Sequence, residues 1–234
     1  MVRAWVAILG LLAFAALFAA LGAWQVQRAE TSRATQALFA SGAADETLAS
    51  LPRELGDAVR FRRVAIEGEY VEKPQFLLDN MLHEGAAGFD VLTALRVRGS
   101  EQRVLVNRGW VPAGDRTVLP DVAVAGESRT VSGRLDRLPR PGLRLGGETP
   151  DRGDALVVVE FPTADELARR LGAPVLDYQV LLEPTAEDGY VRDWQAPGLS
   201  PERHIAYAGQ WFALGLGALA AAIVMAVRTV RRRP

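Results

Sequence analysis
The chain has 234 residues, 49% of them hydrophobic, with 27 basic against 28 acidic side chains and no cysteine. The missing cysteine excludes disulfides, thiolate metal sites and a CxxC copper or redox site. Every acidic residue and all but five basic ones lie between residues 28 and 203, so the middle of the chain is acidic and unsuited to nucleic acid.

Ala4 to Gln27 carries no charge and follows Arg3. Its apolar stretch, Ala4 to Ala23, exceeds the roughly 7–15 residues of a signal-peptide core, so a retained transmembrane helix is expected over 4–27. No Arg/Ser-rich amphipathic extension precedes it, which reads against a mitochondrial transit peptide and toward a bacterial inner membrane. Trp24 and Gln25 close the span, with Arg28 one turn on reaching for headgroups or solvent. Glu30 to Phe39 extends the helical pattern outward, and Ala44 to Leu51 reads as another short helix ending at Pro52.

From Val59 the period changes to two. Val64, Ile66, Gly68 and Tyr70 alternate with polar residues, as a half-buried strand does. Phe76–Leu78 reads as a short strand and Asp79 to Gly88 as a loop. Phe89–Val97 and Val104–Val111 read as strands joined by a turn at Gly99-Ser100. Thr130–Leu135, Ala155–Phe161 and Val175–Leu182 complete the strand set. Thr163 to Leu171 reads as a soluble helix, with Thr163 and Glu166 as a capping box and Gly172 as its stop. Leu138 to Asp154, rich in Pro, Gly and Arg, reads as a loop.

Ile205 to Val227 is a second uncharged run, followed by Arg228, Arg231, Arg232 and Arg233. At about 1.5 Å per residue it spans a hydrocarbon core of about 30 Å. Ser200 suits the cap and Pro201 the first helical position. Basic residues at both ends place both termini in the cytoplasm and the middle outside it. The expected division is a first span at 4–27, an extracytoplasmic β-rich domain at 28–203, a second span at 204–227 and a basic cytoplasmic tail at 228–234. The expected fold is membrane-anchored α+β: two transmembrane helices flank a mainly antiparallel, barrel-like β domain with one short helix.

Chemistry-bearing motifs are sparse. No HExxH, GxSxG, P-loop or strand-following GxGxxG occurs, and Asp79 with His83 has no nucleophile elbow to serve, so no enzymatic activity is expected. His83 reads as an ordinary polar loop residue. His204, Tyr207 and Trp211 fall on one face of the second span, with Gln210 beside them, and Trp24, Gln25 and Arg28 lie at a matching depth. Two readings fit this group. It is a porphyrin cradle, with an imidazole for iron, aromatic plates and an arginine for a propionate. Otherwise it is an interfacial belt, with Gln25 and Gln210 bonding the helices together. Asn107-Arg108-Gly109-Trp110 likewise reads either as a packed strand end or as a partner-binding surface.

Five stretches together resemble the surfeit-locus family of cytochrome c oxidase assembly factors. They are Gly22-Ala23-Trp24-Gln25-Val26-Gln27-Arg28, Val64-Ala65-Ile66-Glu67-Gly68-Glu69-Tyr70 and Gly88-Phe89-Asp90-Val91-Leu92-Thr93. Leu105-Val106-Asn107-Arg108-Gly109-Trp110-Val111-Pro112 and His204-Ile205-Ala206-Tyr207-Ala208-Gly209-Gln210-Trp211-Phe212 complete them, in family order. Ala94 stands where family members usually carry proline, a departure expected to touch only a strand end. The resemblance implies a bacterial helper in building the heme–copper oxidase, at the stage when heme a enters the catalytic subunit. It implies heme a as cargo at the outer membrane boundary, with His204 as the iron ligand and Trp24, Gln25, Arg28, Tyr207, Gln210 and Trp211 around it. It also implies that Asn107, Arg108, Gly109 and Trp110 dock on the oxidase subunit or a heme a synthesis enzyme. A membrane scaffold that stabilises an oxidase intermediate without binding heme is the alternative. Oligomeric state is left open.

Overall fold
A computed structural model describes residues 2–42, 46–114, 116, 118–140 and 155–231. In chain order its elements are α1 (Val2–Ser41), β1 (Arg63–Tyr70), β2 (Gln75–His83), β3 (Ala86–Val97) and β4 (Arg103–Pro112). There follow β5 (Ser128–Arg137), β6 (Leu156–Val159), α2 (Ala164–Leu171), β7 (Val175–Leu182) and α3 (Pro201–Arg231). The chain forms two compact units. One comprises the residues up to Ala37 with those from Ala196 onward, and the other is Leu38–Gln195.

The first unit is a helix pair. α1 runs unbroken for 40 residues, so the outward extension expected over Glu30–Phe39 continues the 4–27 span as one helix. No Gly or Pro interrupts residues 28–41, and the Glu30–Arg33 pair at 2.5 Å lies one turn apart on its surface. α3 has 31 residues and starts as its sequence indicates: Ser200 Oγ accepts from the Arg203 amide at 3.4 Å and Pro201 opens the helix. It ends at Arg231, so Arg228 and Arg231 are helical, while Arg232 and Arg233 lie outside the described residues. Both helices are long and apolar enough to cross a membrane. Their least exposed positions recur at alternating spacings of three and four: Ala15, Phe18, Gly22, Gln25 and Ala29 on α1, and His204, Ala208, Trp211, Gly215 and Ala218 on α3. Such spacing forms one seam per helix. Gln25 meets His204, Phe18 meets Trp211, and Ala15 meets Gly215, so the two helices run antiparallel.

The second unit is built on a seven-stranded sheet in the order β1-β5-β7-β4-β3-β2-β6, with an additional β1–β3 pairing. That pairing closes β1, β5, β7, β4 and β3 into a five-stranded barrel and leaves β2 and β6 as a flap. β3 is long enough to serve both: its Asp90–Leu92 stretch pairs with β2 and its Leu95–Val97 stretch with β1. Pairing is antiparallel except for β4–β7 and β2–β6. Alternate residues of the ring strands, among them Val64, Ile66, Leu95, Val104, Val106, Val131, Val180 and Leu182, fill its interior. A second cluster joins Phe76, Leu92, Leu105 and Val157 to Leu167 and Leu171 of α2, on the other face of the sheet. α2 follows its sequence signals: Thr163 Oγ1 accepts from the Glu166 amide at 3.2 Å, and Gly172 closes the helix in the left-handed region.

Three expectations are corrected. Asp79 to Gly88 is not a loop: β2 continues to His83 and pairs back on Ala86–Gly88 through a bulge at Asn80, whose φ is +61°. The part of Ala44–Leu51 that lies within the described residues is not helical. Leu48 forms a parallel bridge to Val64, donating to the Arg63 carbonyl at 2.9 Å and accepting from the Ala65 amide at 3.2 Å, and its side chain packs on the barrel core. Ala94 sits inside β3 opposite Leu105, fully buried, rather than at a strand end. Most of the expected 138–154 loop lies outside the described residues.

Candidate functional site at the helix pair
His204 sits on the seam, one turn into α3, and is only 8% exposed. Its Nδ1 lies 2.8 Å from Oε1 of Gln25 on α1. Ser32 Oγ donates to the Leu199 carbonyl at 2.7 Å on one side of this bond. On the other side the Phe18 and Trp211 rings stack with centroids 5.7 Å apart. Ala29 and Ala208, both essentially buried, keep the backbones close between these contacts. Nε2 of His204 makes no hydrogen bond among the described residues and is not one of the enclosed unpaired polar atoms. An imidazole held at Nδ1 with Nε2 left over is the arrangement in which histidine ligates a metal, so His204 fits heme iron chemically.

Of the other expected cradle residues, Gln25 bonds His204 and Trp211 lies on the same seam, while the remainder are exposed. Tyr207 and Trp24 are 45% and 51% exposed, and Gln210 and Arg28 are exposed as well. The seam advances by alternating threes and fours, so it takes positions 204, 208 and 211 and leaves 207 and 210 on its flank. Gln25 bonds to His204, not to Gln210. Phe18 is absent from the sequence reading, and Gly22 and Phe212 enter it only as parts of the family-like stretches, because apolar residues inside an apolar run carry no signal of their own. The three–four spacing of the small residues was the available clue.

In the second unit, the Asn107-Arg108-Gly109-Trp110 stretch is largely turned inward, with Trp110 half-buried. Asn107 and Arg108 are each 2% exposed. Asn107 donates to Asp90 Oδ2 at 2.9 Å and accepts from the Gly109 amide at 3.1 Å. Arg108 donates from Nε to the Asp188 carbonyl at 2.7 Å and from Nη1 to the Val122 carbonyl at 2.9 Å, and lies 5.1 Å from the centre of the Tyr190 ring. Trp110 exchanges backbone bonds with Val191, and the Tyr190 amide donates to the Arg108 carbonyl at 2.7 Å. The motif therefore fastens the segment that follows β7 onto β4. Sequence alone offers no sign of this, because the partners are mostly backbone groups some 80 residues away. Burial lowers the Arg108 pKa, opposed by Tyr190 and Tyr70. Burial also raises the Asp90 carboxyl, against the pull of the Asn107 amide. The Asp79–His83 pairing does not form: Asp79 bonds Arg116 at 2.9 Å, and the His83 ring lies 5.2 Å from that of Trp110.

A small closed barrel and, as a separate unit built from the two ends of the chain, a pair of antiparallel apolar helices bridged by a buried histidine together define the class of protein. The model of the SURF1 family matches residues 12–216, which takes in the whole barrel, most of α1 and the first half of α3. The chain belongs to that family, the surfeit-locus family of cytochrome c oxidase assembly factors. A comparison with curated proteins found no match.

Proposed function
We propose that this assembly factor spans the bacterial inner membrane twice, with both termini cytoplasmic and the barrel outside, and holds heme a for the catalytic subunit of the oxidase. The observation that carries the reading is the His204–Gln25 bond, which leaves Nε2 of a largely buried imidazole as the remaining ligand atom. Arg3 at one end and Arg228 and Arg231 at the other favour this topology. His204 supplies the iron ligand and Trp211 the nearby aromatic surface. Tyr207, Gln210 and Trp24, on exposed flanks, are available to the porphyrin face, and Arg28 to a propionate. Bound there, heme a would be shielded until transfer to the oxidase subunit, with a heme a synthesis enzyme as the natural donor.

The optical spectrum of detergent-purified protein from cells making heme a tests this, wild type beside His204→Ala. A heme band in wild type that the variant lacks supports the ligand assignment, and an equal band in both refutes it. One observation favours a heme-free scaffold instead: the exposure of Trp24 and Tyr207, which is also that of an interfacial belt. A colourless wild type that co-purifies with the oxidase subunit would select that reading.

A further inference from the structure
We infer that Gln25 is a positioning residue rather than a heme contact: it fixes the proton of His204 on Nδ1 and so presents the Nε2 lone pair to the iron of a porphyrin. This rests on His204 being the ligand. An imidazole binds a metal through whichever nitrogen lacks the proton, and the hydrogen bond at the other nitrogen decides which that is. Here the other bond is to Oε1 of a carboxamide, which only accepts, at 2.8 Å. The proton therefore belongs on Nδ1.

The bond joins two helices, so its geometry depends on their approach, and that approach is held from both sides. Ser32 and Leu199 are bonded on one side, while Phe18 and Trp211 stack on the other. Gly22 lies so close to Phe212 that a Cβ there would stand 2.5 Å from the ring. These contacts involve no cargo, so the tautomer is set before any arrives. Gln25 is then unlike Tyr207, Trp24 or Arg28: its carbonyl oxygen is spent on the imidazole and acts on iron only through it.

The chain has two histidines, which makes the test direct. The full-length, heme-free protein is labelled with nitrogen-15 histidine in detergent, and His83→Gln assigns the remaining ring signals to His204. Wild type is expected to show a protonated Nδ1 and a bare Nε2. Gln25→Leu, or Gln25→Met if the leucine variant does not insert, is expected to move the proton toward Nε2. Gln25→Glu, which keeps an acceptor oxygen, is expected to restore the wild-type pattern. A wild-type proton on Nε2, or a tautomer that Gln25→Leu or Gln25→Met leaves unmoved, overturns the inference. Hemin titration of the same proteins is expected to show binding about 10–100-fold weaker in Gln25→Leu and near wild type in Gln25→Glu. Full hemin affinity in Gln25→Leu also overturns the inference. Full affinity in His204→Ala instead removes the ligand reading, whatever the tautomer result.

Discussion

Gly109 lies directly against the Val191 carbonyl: a Cβ at Gly109 would stand 2.6 Å from that oxygen, and the residue has φ of +108°. Both facts exclude a side chain, one by backbone conformation and one by space. Gly109→Ala is expected to destabilise the barrel by about 1–3 kcal/mol. Thermal unfolding of the full chain in detergent measures it, and an unchanged midpoint would refute this account of the motif.

Arg108 reaches the Asp188 and Val122 carbonyls with two nitrogens of one rigid fork. Lysine carries the charge but not the fork. Arg108→Lys is expected to release the segment around Tyr190, losing about 1.5–3 kcal/mol of charged hydrogen bonding. Hydrogen exchange at the Tyr190 and Val191 amides should accelerate markedly. Wild-type protection there would contradict the fastening role.

Gly22 and Phe212 define the closest approach on the helix pair that can be tested by mutation. Gly22→Ala is expected to loosen the pair by about 1–3 kcal/mol, as overpacking does. Adding Phe212→Ala should recover most of the loss, a coupling that a double-mutant cycle isolates. Gly10→Ala is the control, since nothing lies within 4 Å of a Cβ there. Additive effects at Gly22 and Phe212 would mean the contact carries no packing constraint.

Asp90 is buried, and burial raises its pKa above the ordinary carboxylate value. The folded chain therefore keeps this proton to higher pH than the unfolded chain does. The stability this residue contributes is fullest below the ordinary carboxylate range and is lost as pH rises through the raised value. Asp90→Asn removes the titration. The melting temperature of wild type relative to the variant is expected to fall as pH rises above the ordinary carboxylate range, and a constant difference would count against it.

Thr163 caps α2 through one hydrogen bond to Glu166. Thr163→Ala is expected to cost about 1 kcal/mol, seen as a lower unfolding midpoint, and Thr163→Ser to restore it.

What the sequence made legible was local. Ser200 and Pro201 at α3, and Thr163, Glu166 and Gly172 at α2, act within one turn of themselves, so their chemistry reads directly from the chain. Strand positions emerged wherever one face is apolar, as in Val64, Ile66 and Tyr70. The β2–β3 hairpin was hidden because Asp79, Asn80, His83 and Glu84 have loop composition, while pairing with Ala86–Gly88 is a property of two segments together. Leu48 was misread for a similar reason: a helix-favouring neighbourhood gave way to a bridge with Val64. At the helix pair the residue types are legible, but the contacts between the helices are not. Placing His204, Tyr207 and Trp211 on one face described a lone helix, and only a second helix shows that Gln25 and Phe18 are the partners.

Closure of the ring through β1 and β3 bears on how the barrel behaves toward other chains. Five strands have both sides occupied for part or all of their length, and β6 covers Gln75–Leu78 of β2, so among the described residues the sheet ends on the four-residue β6. So short an unpaired ladder gives other chains little to add to, which limits strand-by-strand aggregation.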